Sequence, residues 1–394
     1  MSAAVVRLIL LISCAHALVH VYELAFPPVE QLIAAENKVG TKEMGELGTC
    51  WRLPFGAFAI FAGWLTDRFG AKRMLIAYLA GCSVTAMLVA MCYKLTWLFV
   101  AFFCMGTFAS IYHPAGLALI SHVTTPWDRP RALGMHGILG SFGIAGAPLV
   151  AGTVLGLGAS WRGYYLVLSV PGLLLAALFA LRLTDPTRGP TAHTADRPND
   201  GEDDFHVAPY VIILAIGTIV GFVYAATMNF LPRYLSESQV TVFDLPQASI
   251  SNYLAAGVLV LGAVGQYSSG RLARPQSLER FLTAIIAAIV PCLAMMAVAQ
   301  GSMRIVAAGF FAVIFFMTQP LTNSLIAKYV PARRRSLGYG INFMLAFGIG
   351  SFGAAFAGYI QTMRTNYLTL AALAAVGAVL SVVLWSRTSR CDLP

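Results

Sequence analysis

Two histidines and a glutamate interrupt an otherwise apolar stretch, HALVHVYELAFPP, at residues 16–28. His16, His20 and Glu23 fall at i, i+4 and i+7, so a helix places them on one face. Three chemistries fit such a set. It can relay protons, because imidazole titrates near neutral pH and a carboxylate in a low dielectric is shifted toward that range. It can ligate a divalent metal through two nitrogens and an oxygen, with His113 as a further ligand. It can also be structural, with satisfied histidines and a buried salt bridge that fix two helices. Arg52 is the natural ion-pair partner for Glu23; it repels a metal ion and attracts an organic anion.

The elements that must position these residues follow from composition. A chain of 394 residues with 58% hydrophobic and 11% charged side chains has too little polar surface to cover a soluble globule. It reads as an all-α polytopic membrane protein. Apolar stretches of about 20 residues, the length that crosses a bilayer core, occur at roughly 5–33, 44–66, 72–92, 96–123, 132–156, 163–182, 207–234, 247–270, 280–300, 304–327, 336–360 and 365–386. Lipid offers no partner to a free backbone group, so these twelve spans are predicted to be helices. At 1.5 Å per residue, His16 lies roughly 16 Å from the inner end of span one and Arg52 about 22 Å from that of span two. Ionisable groups at that depth are costly against lipid, which predicts that they face a central cavity or one another.

The net charge of +9 is distributed unevenly. With both termini inside, 18 of the 26 Lys and Arg fall in the termini and even-numbered connections, including Arg68, Lys72, Arg73, Arg129, Arg131 and the run Arg333, Arg334, Arg335. This bias is the positive-inside rule; it predicts an inner (plasma) membrane protein with cytoplasmic termini and needs no nucleic-acid partner. The seven cysteines lack CxxC spacing and read as small apolar residues. LISC, ending at Cys14, has too short an apolar stretch after Arg7 for a lipoprotein signal. Nothing in the chain resembles a nucleotide loop, a catalytic triad or a metalloprotease motif, so no cofactor and no enzymatic activity are expected.

The chain divides itself in two. Residues 184–206, TDPTRGPTAHTADRPNDGEDDFH, read as a flexible cytoplasmic linker between domains 1–183 and 207–394. An internal repeat spans the linker. Pro114 to Gly134 matches Pro320 to Gly338, with Ile120 facing Ile326 and Arg131 facing Arg335, and FPP at Phe26–Pro28 finds FLP at Phe230–Pro232. Two six-helix halves in parallel repeat are built to rock about a midplane site.

GWLTDRFGAKR, residues 63–73, closely resembles the loop 2–3 signature of the major facilitator superfamily, with Gly63, Leu65, Asp67, Arg68, Gly70, Lys72 and Arg73 in place. The resemblance covers essentially the whole chain and implies the twelve-helix major facilitator fold, with this motif as a cytoplasmic gate. Gly63 is expected to permit close helix approach, Asp67 to hold a charge-assisted bond to a neighbouring helix end, and the basic residues to meet the inner lipid surface. In the second half, GRLAR at Gly270–Arg274 puts Arg274 where the acid stands, so the gate is expected to be asymmetric. A second resemblance, in ASIYHPAGLALI at 109–120 and in HALVH, is to fosmidomycin-resistance-type exporters and related permeases. The family's drug exporters often carry an arginine in span four, and that position is Phe102 here. The glycines of span five, Gly137, Gly140, Gly143, Gly146 and Gly152, are similar to an antiporter signature with altered spacing, or serve close packing.

Further cavity candidates are His113 and His136 in the first half and Asn229, Asn252, Gln319, Asn323 and Asn342 in the second. His113-Pro114 and Gln319-Pro320 occupy matching repeat positions and predict paired kinks. Each amide has an interhelical hydrogen bond as its alternative role, and His122 and His206 are expected to be solvated. The leading reading is a monomeric secondary transporter moving a small organic solute, organic anions being one class, by alternating access with proton coupling. The alternatives are a divalent-metal or drug efflux carrier and, in another class, a transport-inactive receptor or assembly partner.

Overall fold

Some prolines mark where helices end, while Pro54, Pro148, Pro171 and Pro291 lie inside continuous helices. Pro27 can neither donate a backbone hydrogen bond nor tolerate the carbonyl four residues back, and α1 (Ala3–Glu23) stops at Glu23, followed by α2 (Glu30–Asn37). The same residue type acts in span four, where α6 (Leu95–Ala109) gives way to α7 (Tyr112–Val123) just ahead of Pro114. It acts again in span ten, where α14 (Met303–Phe316) gives way to α15 (Thr318–Tyr329) ahead of Pro320. The paired kinks expected from the repeat are therefore paired breaks.

The computed structural model of the chain describes residues 1–125, 127–183, 205–331, 334–360 and 362–389. Among them every regular element is helical. Span two is α3 (Thr41–Ala57) and α4 (Ala59–Phe69), and span three is α5 (Ala71–Met91). The first half closes with α8 (Arg129–Gly156) and α9 (Trp161–Arg182). The second half runs through α10 (Val207–Asn229), the short α11 (Leu231–Ser236), α12 (Gln247–Leu272), α13 (Leu278–Val298), α14 and α15. It ends with α16 (Arg335–Phe343), α17 (Phe352–Tyr359) and α18 (Met363–Ser389). Eleven of these passes are long and apolar enough to cross a membrane. The remaining one, α3 with α4, is broken at Phe58 and carries Lys42, Glu43, Glu46, Arg52, Asp67 and Arg68, so charge hides it from a test by hydropathy.

Packing divides the chain into two units. One holds Met1–Val39 and Cys50–Asp200, the other Gly40–Thr49 and Gly201–Pro394, so the first half of α3 groups with the second unit although it precedes the linker in sequence. Residues 184–204 of the expected linker lie outside the described residues.

In the first unit α1 packs along α8, α5 along α9, and α7 against α1, α4 and α5. Two glycines of α8 make the first of these contacts possible. A Cβ on Gly143 would collide with the α1 backbone at Ala17, and one on Gly140 would enter the His16 ring. Small residues let membrane helices touch backbone to backbone. In the second unit α10 lies against α17 and α18, α13 against α18, and α12 against α14. Here span eleven is not one helix. A π-helical turn at Met344–Gly348 and a 3-10 turn at Ile349–Ser351 separate α16 from α17.

Candidate functional site: a histidine cluster in the first unit

The expected face of α1 forms, and α7 and α8 complete it. His16 is buried, and its Nδ1 donates to the backbone carbonyl of His136 on α8 at 2.8 Å. A carbonyl can only accept, so neutral His16 presents a lone pair at Nε2. His20 Nε2 lies 3.2 Å from that atom and donates into it. On its other side His20 Nδ1 is 2.7 Å from Glu23 Oε2, in a carboxylate only 1% exposed. With His20 Nε2 already bearing a hydrogen, the bond at Nδ1 needs a second one, carried by His20 as an imidazolium or by Glu23 as an acid. Glu23, His20 and His16 thus form a hydrogen-bonded chain that holds one transferable proton.

His136 and Tyr112 frame this chain. The Tyr112 hydroxyl donates to the Ile12 carbonyl at 2.8 Å, so at its 2.9 Å contact with His136 Nε2 it accepts. That fixes His136 as an Nε2–H tautomer with its ring stacked on His16, centroids 3.8 Å apart. His113 meets His16 and His20 edge-on, with centroids at 5.5 and 5.8 Å. Tyr78 on α5 supports the helix from behind by donating to Ala15 O at 2.9 Å.

Arg52 is buried on α3 at 2% exposure. Glu30, at 1% exposure, is a buried acid that the sequence pattern did not single out, although it stands in the same apolar span seven residues after Glu23. Tyr112 was missed as well. Its signal was adjacency to His113, and nothing in a single sequence marks a tyrosine as the clamp on another helix.

The second-half candidates are dispersed. Asn229 is fully buried and its Nδ2 donates to Met44 O at 3.4 Å, an interhelical bond of the kind set against a cavity role. Asn252 Nδ2 donates within its own helix to Ala248 O at 2.8 Å. Gln319 is exposed and accepts from Gln266 at 2.8 Å, and Asn323 is exposed. Asn342 lies against Gly217, where an added Cβ would meet its Oδ1.

The gate motif corrects two expectations. Asp67 is exposed, and among the described residues its carboxylate takes part in no hydrogen bond or ion pair. Lys72 reaches a helix end: its Nζ donates to Ala180 O at 3.0 Å, in the last turn of α9, where carbonyls lack helical partners and favour a cation. Gly63 is not compelled by close approach either, because an added Cβ would reach Pro114 Cβ at 3.7 Å, an ordinary contact. Gly70 is demanded by the turn between α4 and α5, with φ +86°. Arg68 lies over the rings of Trp64 and Phe69 at 5.5 and 5.6 Å, while Leu65 is half-buried and Arg73 exposed. His122 and His206 are exposed, as expected.

Comparison with known proteins agrees with this architecture. An uncharacterized MFS-type transporter of Bacillus subtilis, YceJ, is 23% identical over 92% of this chain and 91% of its own length. The puromycin resistance protein pur8 of Streptomyces alboniger is 31% identical over 45% of this chain and 33% of its own length. The chain spans between a third and three fifths of the first curated relatives it matches. The crystal structure of a bacterial homolog of the human lysosomal transporter Spinster superposes with a TM-score of 0.79 at 14% identity, over 98% of this chain and 97% of that one. The family model of the Major Facilitator Superfamily matches residues 12–355, and this chain, an integral membrane protein, belongs to that transporter family.

Proposed function

We propose that the protein is a secondary active transporter that moves a small organic solute across the bacterial inner membrane by alternating access, driven by protons. The observation that carries this reading is the concentration of buried ionisable groups, Glu23, Glu30, Arg52, His16 and His136, in one unit of a membrane protein. Ionisable groups inside membrane spans are expensive to keep and default to a functional role. The hydrogen-bonded chain from Glu23 through His20 to His16 gives a proton a place to reside. Arg52 balances Glu23 or, when the carboxylate is protonated, receives an anionic solute; a buried guanidinium with neither is costly.

Relatives support the general class. One is named a probable sulfoacetate transporter, of Cupriavidus necator, and others are named for drug resistance. Organic anions are therefore the first solutes to test. The experiment is uptake into proteoliposomes with and without an imposed pH gradient, across a panel of organic anions, cations and neutral solutes. Accumulation that follows the gradient supports the reading. Exchange without accumulation removes proton coupling, and no transport of any solute returns the protein to the receptor class.

A further inference from the structure

We propose that His16, His20 and His113 form a binding site for a divalent transition-metal ion of the imidazole-preferring class, Zn2+ above all, with one nitrogen from each ring and a fourth position open to water or an anion. This goes beyond the transport reading and does not need it. The argument rests on how the rings are held. His16 Nδ1 is tied to a backbone carbonyl at 2.8 Å and His20 Nδ1 to the Glu23 carboxylate at 2.7 Å. Carbonyl and carboxylate partners on the outer nitrogen are what orient metal-bound imidazoles and fix their tautomer.

Both inner nitrogens then converge. The two Nε2 atoms stand 3.2 Å apart, and two nitrogens bound to one tetrahedral ion at about 2.05 Å stand about 3.3 Å apart. The pair needs almost no adjustment. His113 supplies the third nitrogen: one ligand atom from each of the three rings lies within 4.8 Å of the others, so closing the site takes a side-chain shift of about 1.5 Å. His136 stays outside the set because the ligand atoms that come within 4.8 Å of one another belong to His16, His20 and His113.

Three neutral imidazoles leave the coordination open, as in zinc sites that bind a further ligand, and imidazole suits Zn2+, Cu2+ and Ni2+. Metal entry expels the hydrogen that His20 Nε2 shares with His16, since both nitrogens must offer lone pairs. The ion and that hydrogen therefore exclude one another. The Glu23 carboxylate facing His20 offsets one of the two charges brought in.

The test uses the purified full-length chain in detergent, titrated with Co2+ as a spectroscopic probe. The expected result is a saturable, intense visible d–d band of four-coordinate Co2+, one ion per chain, abolished by Zn2+. Substituting His20→Gln or His113→Gln should weaken binding at least tenfold, and Glu23→Gln, which removes an outer-shell partner, by about tenfold. His122→Gln, an exposed histidine outside the cluster, should leave it unchanged. Thermal unfolding without metal checks that each variant is folded. Absence of the band, a weak octahedral-type spectrum, a thiolate charge-transfer band, or unchanged affinity in folded His20→Gln and His113→Gln overturns the site. Absence of the band with gradient-driven uptake intact removes the metal site alone; a saturable band without uptake of any solute removes the transport reading alone.

Discussion

The two halves of this protein use the same backbone device to present opposite chemistries. In the first, α1 stops ahead of Pro27 and α7 starts beside Pro114, and the side chains at these breaks are His16, His20, Glu23 and His113. In the second, the matching breaks lie before Pro232 and Pro320, but the counterparts of His16, His20 and Glu23, 204 residues on, are Val220, Tyr224 and Thr227. Tyr224 sits in an aromatic nest, its ring centroid 6.1 Å from Phe315, 6.4 Å from Phe316 and 5.9 Å from Phe347. Duplication conserved where the helices stop and not what stands there. Among the described residues the first half buries Glu23, Glu30, Arg52, His16 and His136, whereas the second buries Glu279, paired with Lys328 at 2.6 Å, and sets an aromatic group where the first has His20; on the proposed function, this division would separate coupling from solute contact.

The largest expected effect breaks this division if it is wrong. Glu23→Gln keeps the shape of the side chain and removes its titration, so gradient-driven accumulation should be lost while exchange at equal concentrations survives. His16→Gln and His20→Gln should shift the pH profile of uptake rather than abolish it. Accumulation that persists in all three variants would make the cluster structural. Loss of accumulation in Tyr224→Leu as well would show that coupling is spread across both halves.

The cluster also depends on α8 lying close to α1, which a smaller change probes. Gly140→Ala puts a methyl group into the His16 ring, and overpacking of this kind costs about 1–3 kcal/mol. Gly134, on the same helix, has nothing within 4 Å of an added Cβ, so Gly134→Ala should be neutral or stabilising by up to about 1 kcal/mol. Thermal unfolding in detergent compares the two. Equal melting temperatures would mean that α1 and α8 are not held as described.

Local spacing carries much of this architecture. The i, i+4, i+7 pattern alone places His16, His20 and Glu23 on one face, because a helix period admits only one arrangement. Two proline positions in each half locate the breaks, since proline acts on the backbone through the carbonyl four residues back. What stays hidden in the sequence depends on neighbours distant along the chain. Tyr112 reaching Ile12 and His136 is a fact of three helices, and Lys72 rather than Asp67 capping α9 depends on where Ala180 arrives. The charges of α3 and α4 weaken the hydropathy signal there, although the repeat still requires a twelfth span.

The aromatic nest offers a gentler test of the division. If the nest contacts solute, Tyr224→Leu removes one aromatic face worth about 1 kcal/mol, so the concentration of solute giving half-maximal uptake should rise by about fivefold. The ratio of accumulated to free solute at equilibrium should not move, because no ionisable group has been touched. A changed ratio with an unchanged half-maximal concentration would reverse the assignment of the two halves.

The smallest effect concerns the loop between α4 and α5. Lys72→Gln removes a cation from carbonyls at the end of α9 and should lower stability by about 0.3–1 kcal/mol, the range for a charge at a helix terminus. Asp67→Asn removes a carboxylate with no described partner, so the melting temperature should stay where it is. If Asp67 nevertheless acts in the conformational cycle, its partner forms in another state, and Asp67→Asn should slow turnover while leaving solute binding intact. Binding and turnover measured on the same preparation separate these outcomes. A variant that melts, binds and turns over as the parent protein does would remove Asp67 from the mechanism and leave the motif as a turn built on Gly70 with Lys72 as its anchor.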